Sequence, residues 1–277
     1  MLAYKFYLVL FALQIATCSC HGDRKENFKE DARYKIQKIG KLHPVIDESS
    51  GLIQAGNQTF WTHNDSGGEP TLYRINENGE LLETKTFPTL KNHDWEDITS
   101  DPSGNLYIGD FGNNSQKRTD LCIWKIEGEK APQAIRFQYE DQSEFPGNPP
   151  NFDCEALFEH EGFLYLFSKD WSKKNLVTKM YKIPVIPGTY SISPVAKQKI
   201  DKQVTGAAKS PSGRYFALQT YGKMYIYGIQ DGKISFDTPL HCIKTGRKQT
   251  EAVTFLDDST LVFTNEQGNV YRLKIKK

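Results

Sequence analysis

Short aromatic-rich runs, each bounded by a turn, recur along the chain and set its organisation. They read "QTFWTHND", "NLYIGDFG", "FLYLFSKD", "RYFALQTY" and "TLVFTNEQ". Each follows a short segment with small or acidic residues at fixed places: "ESSGL", "DWEDI", "DCEAL", "VTGAA" and "QTEAV". The third positions of those segments are Ser50, Glu96, Glu155, Gly206 and Glu251, at spacings of 46, 59, 51 and 45 residues. Fourteen residues past each stand Asn64, Asp110, Lys169, Thr220 and Asn265. An equal offset in every unit means two strands and a turn of one length throughout. A third run follows in each unit: "TLYRI", "LCIWKI", "KMYKI", "KMYIYGI" and "VYRLKI".

Repeats of about 50 residues built from short strands predict propeller blades. No stretch carries a capped helical period. Fourth, outer strands are expected near "LLETKTF", "QAIRFQY", "VAKQKID" and "ISFDTPL". The fifth unit ends at "VYRLKIKK" with nothing left for a fourth strand. The strand-like "ARYKIQKIGKL" before the first unit has no partner of its own. Pairing the two removes an open edge. The expected fold is therefore all-β, a five-bladed β-propeller over residues 32–277, closed by an N-terminal strand that completes blade 5.

Ahead of that unit, Lys5 precedes the apolar run "FYLVLFALQIA" and the small residues of "TCSC". A basic flank and a short apolar core read as a signal peptide over residues 1–20, too short for a mature membrane span. "IATC" resembles a loose bacterial lipobox. Either Cys18 (or Cys20) carries a lipid that attaches the protein to a membrane, or the chain is simply secreted. Residues 21–31 read as a charged tether. The expected location is extracytoplasmic: secreted, periplasmic or on the outer membrane as a lipoprotein. Three further cysteines, Cys122, Cys154 and Cys242, are too few for a disulfide framework and lack zinc spacing, so they read as small buried residues. The near balance of 35 basic and 34 acidic side chains gives no sign of a nucleic-acid polymer as partner. A monomer is expected.

In a propeller, equivalent positions of the inner strands form a ring around the central channel. Carboxylates from Glu96, Glu155 and Glu251 in one ring would repel one another. Either their pKa values rise or a cation sits among them, with Ser50 as a further oxygen ligand. All-oxygen ligands favour a hard cation, Ca²⁺ before Mg²⁺. At Gly206 a water, a backbone carbonyl or Thr205 would complete the shell. The alternative is that the glutamates bond neighbouring backbones and close the ring without metal.

These motifs resemble two families. The calcium-activated nucleotidases, secreted apyrases, are five-bladed propellers with a ring Ser, Glu, Glu, Ser, Glu; here Gly206 replaces the second serine. "HNDSG" stands where that family has an acidic turn, with Asn64 and Asp65 over its two aspartates, and "LYIGDFG" stands for its "LYVGGLG". A fuller likeness, over nearly all of the chain after the leader, is to extracytoplasmic proteins of Bacteroidetes that carry "HNDSG", "DWEDIA", "LYIGDFGNN", "NFDCEAL" and "TGAD" in this order. Ala208 stands here in place of the last aspartate.

The equal offset gathers one polar rim. Its members are His63, Asn64, Asp65, Asp110, Asn113, Asn114, Lys169, Asp170, Thr220, Tyr221, Asn265 and Glu266, with Arg118 on the same rim. A small polar or anionic ligand on that face is expected. The apyrase resemblance implies a Ca²⁺-dependent hydrolase of phosphoanhydride or phosphoester bonds. Asp65 or Asp110 would then position or deprotonate water, and Lys169 would neutralise phosphate. Two alternatives stand beside it: a non-catalytic propeller that binds a glycan, peptide or protein with structural calcium, and a glycoside hydrolase with paired carboxylates. For any single rim residue, ordinary turn chemistry is a sufficient explanation.

Overall fold

The computed structural model describes residues 33–246 and 249–276, and among these every regular element is a strand. The leader, the tether and the Cys18 lipid site lie outside the described residues. Five antiparallel sheets follow one another around a channel. Blade 1 holds β2 (Ser49–Gln54), β3 (Thr59–Asn64), β4 (Thr71–Asn76) and β5 (Leu81–Thr86). Blade 2 holds β6 (Trp95–Ser100), β7 (Leu106–Asp110), β8 (Cys122–Ile126) and β9 (Gln133–Tyr139). Blade 3 holds β10 (Asp153–His160), β11 (Phe163–Lys169), β12 (Val177–Pro184) and β14 (Pro194–Lys199). β13 (Gly188–Ile192) leaves blade 3 between β12 and β14 and pairs in parallel with β9 of blade 2, a crossing the sequence pattern did not announce.

In blade 4, β15 (Val204–Lys209), β16 (Tyr215–Thr220) and β17 (Lys223–Gln230) are covered by β19 (His241–Lys244). The outer strand is thus "HCIK" rather than "ISFDTPL". Of that stretch only Ile234 lies in a strand, as the end of β18 (Lys233–Ile234), a short hairpin on the end of β17. Blade 5 combines β20 (Thr250–Asp257), β21 (Thr260–Asn265) and β22 (Asn269–Lys276) with β1 (Arg33–Lys41). β1 runs antiparallel to β22 from Arg33 opposite Lys276 to Lys41 opposite Asn269, so the N-terminal strand closes the ring as expected.

Burial follows position in the blade. β10 is buried at every residue, whereas β14 alternates half-buried and exposed side chains. Inner strands are packed on both faces, which explains their unbroken apolar runs; outer strands keep a wet face and hence a period of two. The core is divided into five clusters, one at each blade interface. Between blades 3 and 4, Phe216 stacks on Tyr227 with centroids 4.8 Å apart and meets Phe158 at 5.1 Å.

Polar ties cross the interfaces as well. Lys179 and Tyr181 both reach Asp141 from the end of the preceding blade, and Lys223 and Tyr225 repeat this with Asp201. The fully buried carboxylate of Asp97 accepts the backbone N–H groups of Leu157 in blade 3 (2.9 Å) and Ala207 in blade 4 (3.1 Å), besides that of Ile98. One side chain of blade 2 therefore binds three blades at the channel. Burial pushes this carboxyl well up, and the three N–H donors pull against it.

Candidate functional site

Each inner strand carries an irregularity near its start. The pairing slips between Ser49 and Gly51, Trp95 and Asp97, Cys154 and Ala156, Val204 and Gly206, and Thr250 and Val253. Such bulges leave one residue, or in blade 5 two, out of the ladder. They are Ser50, Glu96, Glu155 and Thr205, with Glu251 and Ala252 together in blade 5. The ring member of blade 4 is Thr205, and Gly206 is back in register opposite Gln219. Gly206 has its own reason to lack a side chain, because a Cβ there would run into the carbonyl oxygen of Glu251.

The ring residues do different things. The Ser50 hydroxyl donates to the Glu96 carbonyl at 2.6 Å, and the Thr205 hydroxyl donates to the Thr250 carbonyl at 2.7 Å. Both hydroxyls tie adjacent blades together. Glu155 receives the Lys169 ammonium at 2.9 Å, with both side chains buried. Glu251 is hydrogen-bonded to Glu266. Burial first, then the neighbouring carboxylate, pushes Glu251 up to about 8; burial likewise raises Glu266 to about 7.

Glu96 belongs to a tighter group. Its carboxylate and those of Asp65 and Asp94 each place an oxygen within 4.8 Å of the others. Asp65 is set by the turn after β3, where its N–H donates to the Glu48 carbonyl and its own carboxylate accepts the Ser66 N–H. Asn92 braces that turn from the next blade, donating to the carbonyls of Asn64 and Asp65 and accepting the Trp95 N–H. Gly112 lies against both Asp94 and Glu96, and a Cβ there would occupy the place of their carboxylates. Burial, then the mutual repulsion of neighbouring acids, lifts Glu96 well above the carboxylate range and Asp94 to about 6; burial also raises Asp65. The cluster is short of positive charge. Three hard oxygen donors that repel one another in a half-dry pocket suit Ca²⁺ or Mg²⁺.

Lys169 is a cation of this mouth, and it is spoken for. Burial alone would lower its pKa, but Glu155, then Tyr221, Asp153 and Glu96, outweigh that and hold the ammonium charged well above its usual value. It also lies 4.8 Å from the Trp171 ring centroid and 5.3 Å from that of Tyr221. Asp153 accepts the Asn113 N–H at 2.6 Å and the Trp171 indole N–H at 2.7 Å.

Several rim residues turn inward. Asp110 has both oxygens in use: Asp94 N–H and Arg118 at one, His93 and Trp124 at the other. It is a bracing carboxylate, not a free base. Arg118 spends its guanidinium on Asp110, Asp120 and the Gly112 carbonyl. His63 is wholly buried, edge-on to Trp95, with its Nδ1–H donating to the Asn64 carbonyl; burial lowers it to about 4, so it is a neutral packing residue out of a ligand's reach. Asp170 closes the following loop by accepting the N–H groups of Ser172 and Val177. The Thr220 hydroxyl donates to the Lys223 carbonyl, and Asn265 accepts the Asn269 N–H. Asn64 donates to the Val45 carbonyl, Asn113 accepts the Arg118 N–H, and Asn114 is exposed. The rim exists, but turn and strap chemistry uses much of it.

No family model matches the chain, and no curated protein matches it. Solved structures do. The chain is similar to a gluconolactonase from Xanthomonas campestris (TM-score 0.51, 12% identity, covering 89% of this chain and 90% of that one). It is similar to the PQQ-bound aldose sugar dehydrogenase from Streptomyces coelicolor (TM-score 0.53, 11% identity, 90% and 100% covered). A putative gluconolactonase gives a TM-score of 0.53 at 12% identity, with 90% and 94% covered. At such identities the likeness is one of fold, and the class it defines is the β-propeller. Both sequence resemblances agree with that fold, and these structures add nothing to them beyond it.

Proposed function

We propose that this protein is an extracytoplasmic hydrolase of phosphoanhydride or phosphoester bonds that depends on a divalent cation, Ca²⁺ first, held by Asp65, Asp94 and Glu96. The carrying observation is the convergence of these three carboxylates within 4.8 Å, each with its charge disfavoured by burial. When bound, the ion supplies charge neutralisation for a phosphate group. The chain's own residues do the rest. Gly112 keeps the centre open, Asn92 fixes the Asp65 turn, and Lys169 neutralises Glu155 behind it. The Glu251–Glu266 pair, raised by burial to about 8 and about 7, would share a proton near neutral pH on the same ring. The extracytoplasmic setting rests on the N-terminal pattern, with or without a lipid on Cys18.

The test is phosphate release from nucleoside di- and triphosphates with Ca²⁺ and with EDTA. Release that needs Ca²⁺ and falls in Glu96→Gln supports the reading; none at saturating Ca²⁺ sinks it. The engagement of Asp110, Arg118 and Asp170 in internal bonds favours a second reading, a binding propeller with structural calcium. That reading predicts a melting temperature raised by Ca²⁺ without turnover.

A further inference from the structure

We propose that the outward face of the Trp171 indole is a stacking platform for the ring of a phosphate-bearing small molecule whose charged end meets the acidic centre. The proposal rests on the cation-centre reading above and adds what holds the other end of the ligand.

Trp171 is 42% exposed, yet its attachments are those of a buried residue. Its backbone N–H donates to the Pro150 carbonyl at 2.8 Å. Its indole N–H donates to Asp153 at 2.7 Å. The Lys169 ammonium sits 4.8 Å from the ring centroid, in cation–π reach, and is itself anchored to Glu155. Leu82 and Val195 are also exposed, but they lie on the outer strands β5 and β14, where a wet face is expected. An aromatic ring that is fixed before any ligand arrives loses little freedom when a second ring stacks on it.

Location gives the platform its use. The Asp153 carboxylate that holds the indole also accepts the Asn113 N–H, and the preceding residue, Gly112, lies against Asp94 and Glu96, so a short chain of contacts links the indole to the carboxylate cluster. The same loop carries Lys173 and Lys174, both exposed. They add exposed positive charge to this loop, whereas Lys169 and Arg118 spend theirs on internal acids. A ligand with a ring at one end and phosphate at the other matches this order of surfaces.

Equilibrium binding to the full chain in Ca²⁺ tests the proposal. The probes are adenosine 5′-phosphate and glucose 6-phosphate, against glycerol phosphate and inorganic phosphate. Trp171→Ala is expected to weaken a ring-bearing probe by about 5- to 150-fold, the worth of one stacked base, and to leave the ring-less probes unchanged. Trp171→Phe should keep most of the affinity. Which ring-bearing probe responds distinguishes a base from a sugar. Wild-type affinity unchanged in Trp171→Ala, an equal loss for ring-less probes, or no binding of either ring-bearing probe to the wild type overturns the platform. Should Trp171→Ala fail to fold, quenching of tryptophan emission serves instead: ring-bearing probes should quench the wild type and not Trp171→Phe, and equal quenching refutes the proposal. Phosphate release is read on the same samples. Trp171-dependent binding without release keeps the platform and overturns the hydrolase; release without Trp171 dependence does the reverse.

Discussion

Replacing Asp97 with alanine removes the acceptor for three backbone N–H groups at the channel. Ile98 is local, but Leu157 and Ala207 belong to other blades and are buried. A buried N–H left without a partner costs about 1–3 kcal/mol, so the two cross-blade donors alone predict a loss of roughly 2–6 kcal/mol. For a domain of this size a kilocalorie is worth about 2–4 °C, which places the melting temperature on the order of 4–24 °C lower. Asp97→Asn keeps one carbonyl oxygen and should lose less. Thermal unfolding followed by circular dichroism reads both variants. An Asp97→Ala protein melting within about 2 °C of wild type would refute the idea that this carboxylate binds the blades together.

Other expectations concern the acidic mouth. Gly112→Ala places a methyl where Asp94 and Glu96 converge, so the melting temperature in EDTA should fall as those side chains are displaced, and the further rise given by Ca²⁺ in a thermal-shift assay should vanish; retained Ca²⁺ stabilisation would contradict the assigned centre. The pH dependence has a worked sign. Carboxylates raised in the fold bind protons that the unfolded chain has released, so metal-free stability falls as pH rises through their folded values, about 7 for Glu266 and about 8 for Glu251. His63, lowered to about 4, acts in the opposite sense below its unfolded value near 6.5, so the clean window is above that. Melting temperatures in EDTA should drop between pH 6.5 and 8.5, and a rise would count against the proton-sharing pair.

The propeller was legible because its signal is a spacing, and spacing survives the loss of most identities. The closure of blade 5 was legible for a related reason: one strand without a partner at the start and one missing strand at the end. The ring was legible except in blade 4, where position in a motif pointed to Gly206 and the bulge selects Thr205. A bulge is a hydrogen-bonding event, and the residue types on either side of it do not reveal it. Asp94 and Asp153 open the motifs "DWEDI" and "DCEAL", two places before the ring glutamates and outside the equal-offset pattern. The acid at both starts was the available signal. Nothing in the sequence marks Asp110 and Arg118 as consumed by each other, since that depends on a rotamer choice between solvent and neighbour.

Blade 5 joins the two ends of the described chain, and this has a consequence for biosynthesis. β1 is the first of these strands to leave the ribosome, and its partner β22 is the last. At about 5–20 residues per second the interval is on the order of ten to fifty seconds. Throughout it β1 is a bare edge. Its sequence, RYKIQKIGK, sets a basic residue at nearly every second or third place, and charge of one sign is what keeps an unpaired strand from joining a stranger. The basic residues of β1 would disfavour pairing with another chain during a wait that the ring's own topology imposes.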